Sequence, residues 1–147
     1  MSLIKVNNIQ TTTGLSNRGR VLQTVTASSS TAITINSSSA TTVISTSITI
    51  QQGNRILAMF SGDMNANSAQ SWQIIGFNIG GVQYHDKIIE HIANANMNAD
   101  SSYLTPTLNS GTYTVAFNSR QGSGSVTYNE GNFGDGLHLI AMEISAS

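Results

Sequence analysis

At 147 residues the chain has the length of one domain and can bury a real core. Charged residues are only 9%, and the net charge is −1, so there is no basic stripe to hold phosphates and a nucleic-acid partner is excluded. With no cysteine, disulfides, thiol nucleophiles and cysteine metal sites are excluded too. No apolar run is long enough to span a bilayer, so no membrane partner is expected. The opening Met1-Ser2-Leu3-Ile4-Lys5-Val6 lacks the apolar stretch of a secretory signal, which predicts maturation in the cytoplasm of the producing cell. Ser, Thr, Asn and Gly dominate the polar residues, a neutral surface that suits a β protein built into an assembly better than a free enzyme.

Residues 1–20 read as an arm. Leu3, Ile4, Val6 and Ile9 form one short apolar segment, followed by turn-rich Thr11-Thr12-Thr13-Gly14 and Ser16-Asn17-Arg18-Gly19. Such a segment buries little alone, so it either frays or docks on a neighbour. Arg18 and Arg20 are the only close basic pair. They read as a solvated turn or as an anchor to an acidic groove on a partner.

Residues 21–147 read as one β-sandwich domain. Val21 to Ala27, Ile33 to Ile35 and Thr41 to Ile50 alternate and are rich in β-branched residues, which predicts strands. Gln51-Gln52-Gly53-Asn54 is a turn. Arg55 to Phe60 is apolar on both sides and should be a central strand. Gly62 to Gln70 reads as a polar loop. Trp72 to Ile79 and Val82 to Tyr84 flank Gly80-Gly81, a two-residue hairpin turn that sets Ile79 opposite Val82. Lys87 to Asn96 fits a helical stripe nearly as well as a strand; its short length and β-rich surroundings favour strand. Pro106, the only proline, fits an edge or a turn.

The segment Gly111 to Ser145 organises the rest. Tyr113, Val115 and Phe117 alternate with polar residues, Arg120 to Gly124 reads as a tight loop, and Val126 to Tyr128 reads as a strand running back. Leu137 to Ile144 places Leu137, Leu139 and Ala141 on one side and Ile140, Met142 and Ile144 on the other. A strand greasy on both sides sits centrally, one side on the core and the other covered by a second layer or another copy. Leu137 and Leu139 are the residues assigned to a subunit interface. Eight to ten short strands with Gly, Ser and Asn turns predict an all-β, antiparallel β-sandwich, with a jelly roll as the expected topology.

Few constellations suggest chemistry. His85, Asp86, Glu90 and His91 could ligate a metal, but His85 and His91 on one strand lie about 20 Å apart, so a solvated loop or subunit contact is the better reading. Asn94, Asn96, Asn98 and Asp100 resemble a calcium loop but have Ala99 and Thr105 where Gly and Glu are needed. Gly122-Ser123-Gly124-Ser125 is not a nucleophile elbow, and Gly131, Gly134 and Gly136 do not form a dinucleotide fingerprint. No catalytic motif is found and no cofactor is expected. Trp72 and Tyr103 border polar loops and are the candidate glycan contacts.

The stretch Leu3-Ile4-Lys5-Val6-Asn7-Asn8-Ile9-Gln10-Thr11-Thr12-Thr13-Gly14, with Gly19-Arg20-Val21-Leu22-Gln23, resembles the start of small virion proteins of tailed phages, especially marine ones. Thr112 to Val115, Gly122-Ser123-Gly124 and Leu139 to Ile144 are similar to the end of that family. The resemblance implies a tail-fibre or virion structural protein, made in the host cytoplasm, with a trimeric jelly roll. The chain is short and lacks a fibrous shaft, which favours a head decoration (cement) protein over a fibre. The expected function is therefore non-enzymatic: a homotrimer bound to other virion proteins through its arm. A tail-fibre tip that binds a host glycan through loops 62–70 and 97–106 is the alternative.

Overall fold

The computed structural model describes residues 19–66, 71–91, 96–129 and 136–146. Twelve strands run through them: β1 (Val21–Ser29), β2 (Ile33–Ile35), β3 (Thr41–Ile50), β4 (Arg55–Ser61), β5 (Asp63–Ala66), β6 (Ser71–Ile79), β7 (Val82–His91), β8 (Asn96–Asn98), β9 (Ser101–Leu104), β10 (Gly111–Ser123), β11 (Val126–Tyr128) and β12 (Leu137–Ile144). Every pairing between them is antiparallel. One layer has the order β3-β10-β6-β7. The other is a sheet of order β1-β12-β4-β9 continued by a second of order β2-β11-β5-β8. Position by position, the strands of the second sheet are chain neighbours of those in the first, so four chain segments bend through both. The chain alternates between layers, apart from the β6–β7 hairpin. That is the double-sheet jelly roll, so the protein is an all-β antiparallel sandwich as the strand pattern predicted.

Alternation explains the core. The inward residues Ile56, Ala58 and Phe60 of β4 and Leu137, Leu139 and Ala141 of β12 meet Ile44 and Ile48 of β3, Ile75, Phe77 and Ile79 of β6, and Val115 and Phe117 of β10. Phe60 stacks on Phe117 across the layers, and Tyr128 meets both rings edge-on. Phe77 adds an edge contact to Phe117. Burying each of these side chains contributes about 2 to 3 kcal/mol. The Gly80-Gly81 turn closes β6 onto β7 with Ile79 opposite Val82, as expected, and both glycines take positive φ (60° and 88°). The Lys87 to His91 stretch is strand, not helix. β9 is an edge strand, and Pro106 follows it.

Two expectations about loops are corrected. Arg120 to Ser123 is no tight loop: β10 runs on to Ser123 and pairs with β6 as far as Trp72. Val126 to Tyr128 does not run back beside it but crosses to the other layer, between β2 and β5. All three of its residues are buried, a demand that only a central position meets. Within Gly62 to Gln70, residues 63–66 form β5, whose Met64 and Ala66 point inward while Asp63 and Asn65 are half-buried. Residues 67–70 lie outside the described residues, as does the part of Lys87 to Asn96 between 92 and 95. Among the described residues no helix is long and apolar enough to cross a membrane.

Candidate functional site

The functional candidates lie around β12. Leu3, Ile4, Val6, Ile9 and Arg18 of the expected arm lie outside the described residues. Arg20 is exposed at the base of that arm. The Gly19 N–H donates to the Ser145 carbonyl at 2.7 Å, and the Ser145 N–H donates to the Arg20 carbonyl at 2.9 Å. These bonds carry the β1–β12 ladder past Val21, opposite Ile144.

Next to this point sits a carboxylate that the sequence reading passed over. Glu143 shares the inward parity of Leu137, Leu139 and Ala141, and is buried. Its Oε1 accepts from the Gln51 N–H and Asn54 Nδ2, both at 2.7 Å, and its Oε2 from Gln23 Nε2 at 2.8 Å. Gln23 Nε2 also donates to the Thr49 carbonyl. Burial alone would push the Glu143 carboxyl up, but the three donors outweigh it and hold it below the usual range. The group ties β1, the β3–β4 turn and β12 together and is committed to structure. A second polar cluster lies in the core. The Ser119 hydroxyl donates to Gln73 Oε1 at 2.7 Å, and the Tyr128 hydroxyl bonds Ser119 Oγ at 3.0 Å. Burial, only partly offset by the Ser119 hydroxyl, pushes the Tyr128 phenol up to about 12.

The assignment of Leu137 and Leu139 to a subunit interface is corrected. Both have zero exposure within the single chain, so no surface remains for a partner. The other side of β12 is the open one. Register sets Met142 beside Leu57 and Leu57 beside Leu104, while Ile140 lies beside Met59. Met59 and Leu104 are 40% and 43% exposed. Leu57, Ile140 and Met142 are half-buried, yet none of the five packs on the core. The result is a contiguous apolar patch on the outer face of the β1-β12-β4-β9 sheet.

At one end of the patch is a cleft of about 600 Å³, lined by Met59, Ile140, His85, Lys87, Asp100 and His138 among others. Two histidines distant in sequence therefore share one cleft. His85 sits at φ 56° in a β-bulge, where it and Asp86 oppose the single residue Gly76. A Cβ at Gly76 would lie 2.9 Å from the Tyr84 carbonyl, so the bulge needs glycine there. The bulge breaks the alternation assumed along 85–91 and turns Ile88 outward, 61% exposed. Asp86 pairs with Arg120 at 3.2 Å instead of facing a metal. Among the described residues no group of three metal-ligating side chains is found. Asn96 to Asn98 form β8, and Asn65 Nδ2 donates to Asn96 Oδ1, in line with strand alternation there; Asn94 lies outside the described residues.

The two candidate glycan contacts are not brought together. Trp72 is on β6, 38% exposed, with its ring lying over Gly122. Tyr103 is on β9 in the other layer. It is half-buried, packs on the core, and stacks on Tyr84 and His85 at centroid distances of 5.1 and 5.8 Å. Its ring faces are used in packing the layers, which corrects its reading as an exposed stacking platform.

The fold so defined is the jelly roll shared by viral capsid and lectin domains. No protein-family model matches the chain, and no curated protein matches it. Among solved structures, it is similar to dimeric latent PorU from Porphyromonas gingivalis, with TM-score 0.50 and 9% identity over 92% of this chain. It is also similar to a structure of infectious bursal disease virus, Gx strain, with TM-score 0.43 and 12% identity over 100% of this chain. A third similar structure is a viral particle of infectious bursal disease virus, with TM-score 0.45 and 13% identity, again over 100%. The chain spans 14% of the PorU chain and 42% and 40% of the two viral chains. At 9% identity the likeness to PorU is one of fold alone.

Proposed function

We propose that this chain is a non-enzymatic phage virion structural protein, a homotrimeric capsid decoration (cement) protein that docks through its N-terminal arm, residues 1–20. The observation that carries the reading is the apolar patch Leu57, Met59, Leu104, Ile140 and Met142, which no second layer covers among the described residues. Water-facing patches of this kind mark association sites. The resemblance of residues 3–23 and 112–144 to small tailed-phage virion proteins supplies the virion. The polar groups of the interior fit a building block, because the Glu143 carboxylate and the Tyr128 hydroxyl are engaged in holding strands together. Deleting residues 1–18, which spares the Gly19–Ser145 ladder, tests the reading. The truncated chain should fold with an unchanged circular dichroism spectrum and be absent from purified particles. Equal incorporation of both chains, or a full-length chain absent from particles, would refute it.

A second reading, a tail-fibre tip that binds a host glycan, draws on the cleft. Lys87, Asp100, Ser101, Ser102 and His138 offer hydrogen bonds above an apolar floor of Met59 and Ile140, a mixture that suits a sugar. Binding to a glycan array that is lost with Asp100→Ala would favour it over the first.

A further inference from the structure

We infer that the outer face of the β1-β12-β4-β9 sheet is the seat for residues 3–9 of a neighbouring copy of this chain. The inference rests on the assembly reading above and names the surface that receives the arm. The direction of the chain carries it. β1 is antiparallel to β12, so moving from Val21 toward the N-terminus means moving beyond Ile144. The bonds of Gly19 and Arg20 with Ser145 extend that ladder to its limit. The described chain therefore ends pointing off the end of the sheet, not across its face. Covering its own face would require the arm to reverse at once, whereas a neighbour beyond that end lies straight ahead.

Length and chemistry agree. Eighteen residues precede Gly19 and, extended, reach roughly 60 Å, beyond the roughly 40 Å width of a domain of this size. Between Leu3 and Ile9 the arm carries four large apolar side chains and a single charge, Lys5. The face offers rows of the same character: Met142, Leu57 and Leu104 in line, and Ile140 beside Met59. A cleft of about 320 Å³ lined by Arg55, Leu104, Ile144 and Ser145 opens at the corner where the described chain begins. An arm leaving one corner and seated on the next copy's face is a head-to-tail contact, the kind that closes into a ring when the rotation allows.

The absence of native cysteine allows a clean test. Chains carrying Ile9→Cys and Met142→Cys, made with tags of different size, are mixed, oxidised and run on a non-reducing gel. A disulfide-linked heterodimer is expected, and the chain with both substitutions should give linked species up to the trimer. Met59→Asp, at an exposed position, should abolish the linkage without altering the circular dichroism spectrum. If the doubly substituted chain forms only an intramolecular bond, the arm covers its own face and the inference fails. If the protein stays trimeric and enters particles with no linkage, the inference fails while the assembly reading survives. A full-length chain that is monomeric and missing from particles removes both.

Discussion

Replacing Glu143 by Gln tests the view that this carboxylate clamps one end of the sandwich. The amide keeps the shape but removes the charge and turns an NH2 toward one of the three donors. Hydrogen bonds to a charged acceptor contribute about 1.5 to 3 kcal/mol and neutral ones about 1, so the retained bonds lose about 1 kcal/mol each. The NH2 then faces Gln23 Nε2, which keeps its bond to the Thr49 carbonyl but loses the one to residue 143, a loss of about another 1 kcal/mol. The expected loss is therefore about 3 kcal/mol, read as a lower urea midpoint with an unchanged slope. The pH dependence has a definite sign. The folded carboxyl lies below its ordinary value of 4.5, so its stabilisation is fully present above pH 4.5 and is lost as pH falls through the folded value. The difference between wild type and Glu143→Gln should thus be constant from pH 7 to about 5 and shrink at lower pH. A loss under about 0.5 kcal/mol at pH 7, or a difference that grows in acid, would refute the clamp.

Phe117→Ala removes the ring on which Phe60, Phe77 and Tyr128 converge, and should cost about 3 to 5 kcal/mol in urea unfolding. Tyr128→Phe should flatten alkaline denaturation. The folded phenol sits near 12 against an ordinary 10, so its contribution is intact below pH 10 and fades at about 1.4 kcal/mol per pH unit above it, measurable as urea midpoints at pH 9 and 11. Gly122→Ala puts a methyl about 2 Å from the Trp72 ring atoms. Trp72 is the only tryptophan, so the displaced ring should report as a red-shifted emission; unchanged emission would mean that the ring does not lie there.

Local alternation carried most of the architecture. The alternating β-branched run at 41–50 reads as a strand, and the two-sided runs at 55–60 and 137–144 as central ones, because those two have almost no polar face to give to water; the structure places 41–50 at a sheet edge and the other two inside a sheet. The Gly80-Gly81 hairpin was legible because few residues other than glycine accept positive φ at both turn positions. Glu143 was legible too: its parity with Leu137 and Leu139 marks it as inward. The Asp63–Ala66 strand was hidden, since its outward residues are Asp and Asn and only Met64 and Ala66 signal burial.

What periodicity cannot carry is which strand lies beside which, because backbone pairing is indifferent to sequence distance. Thus Val126 to Tyr128, three residues past the end of β10, pairs in the opposite layer with strands some 60 and 90 residues away. The same ignorance assigned the wrong side of β12 to a partner. Both sides are apolar, and only the position of the β3-β10-β6-β7 layer decides that Leu137 and Leu139 face the core while Ile140 and Met142 face out.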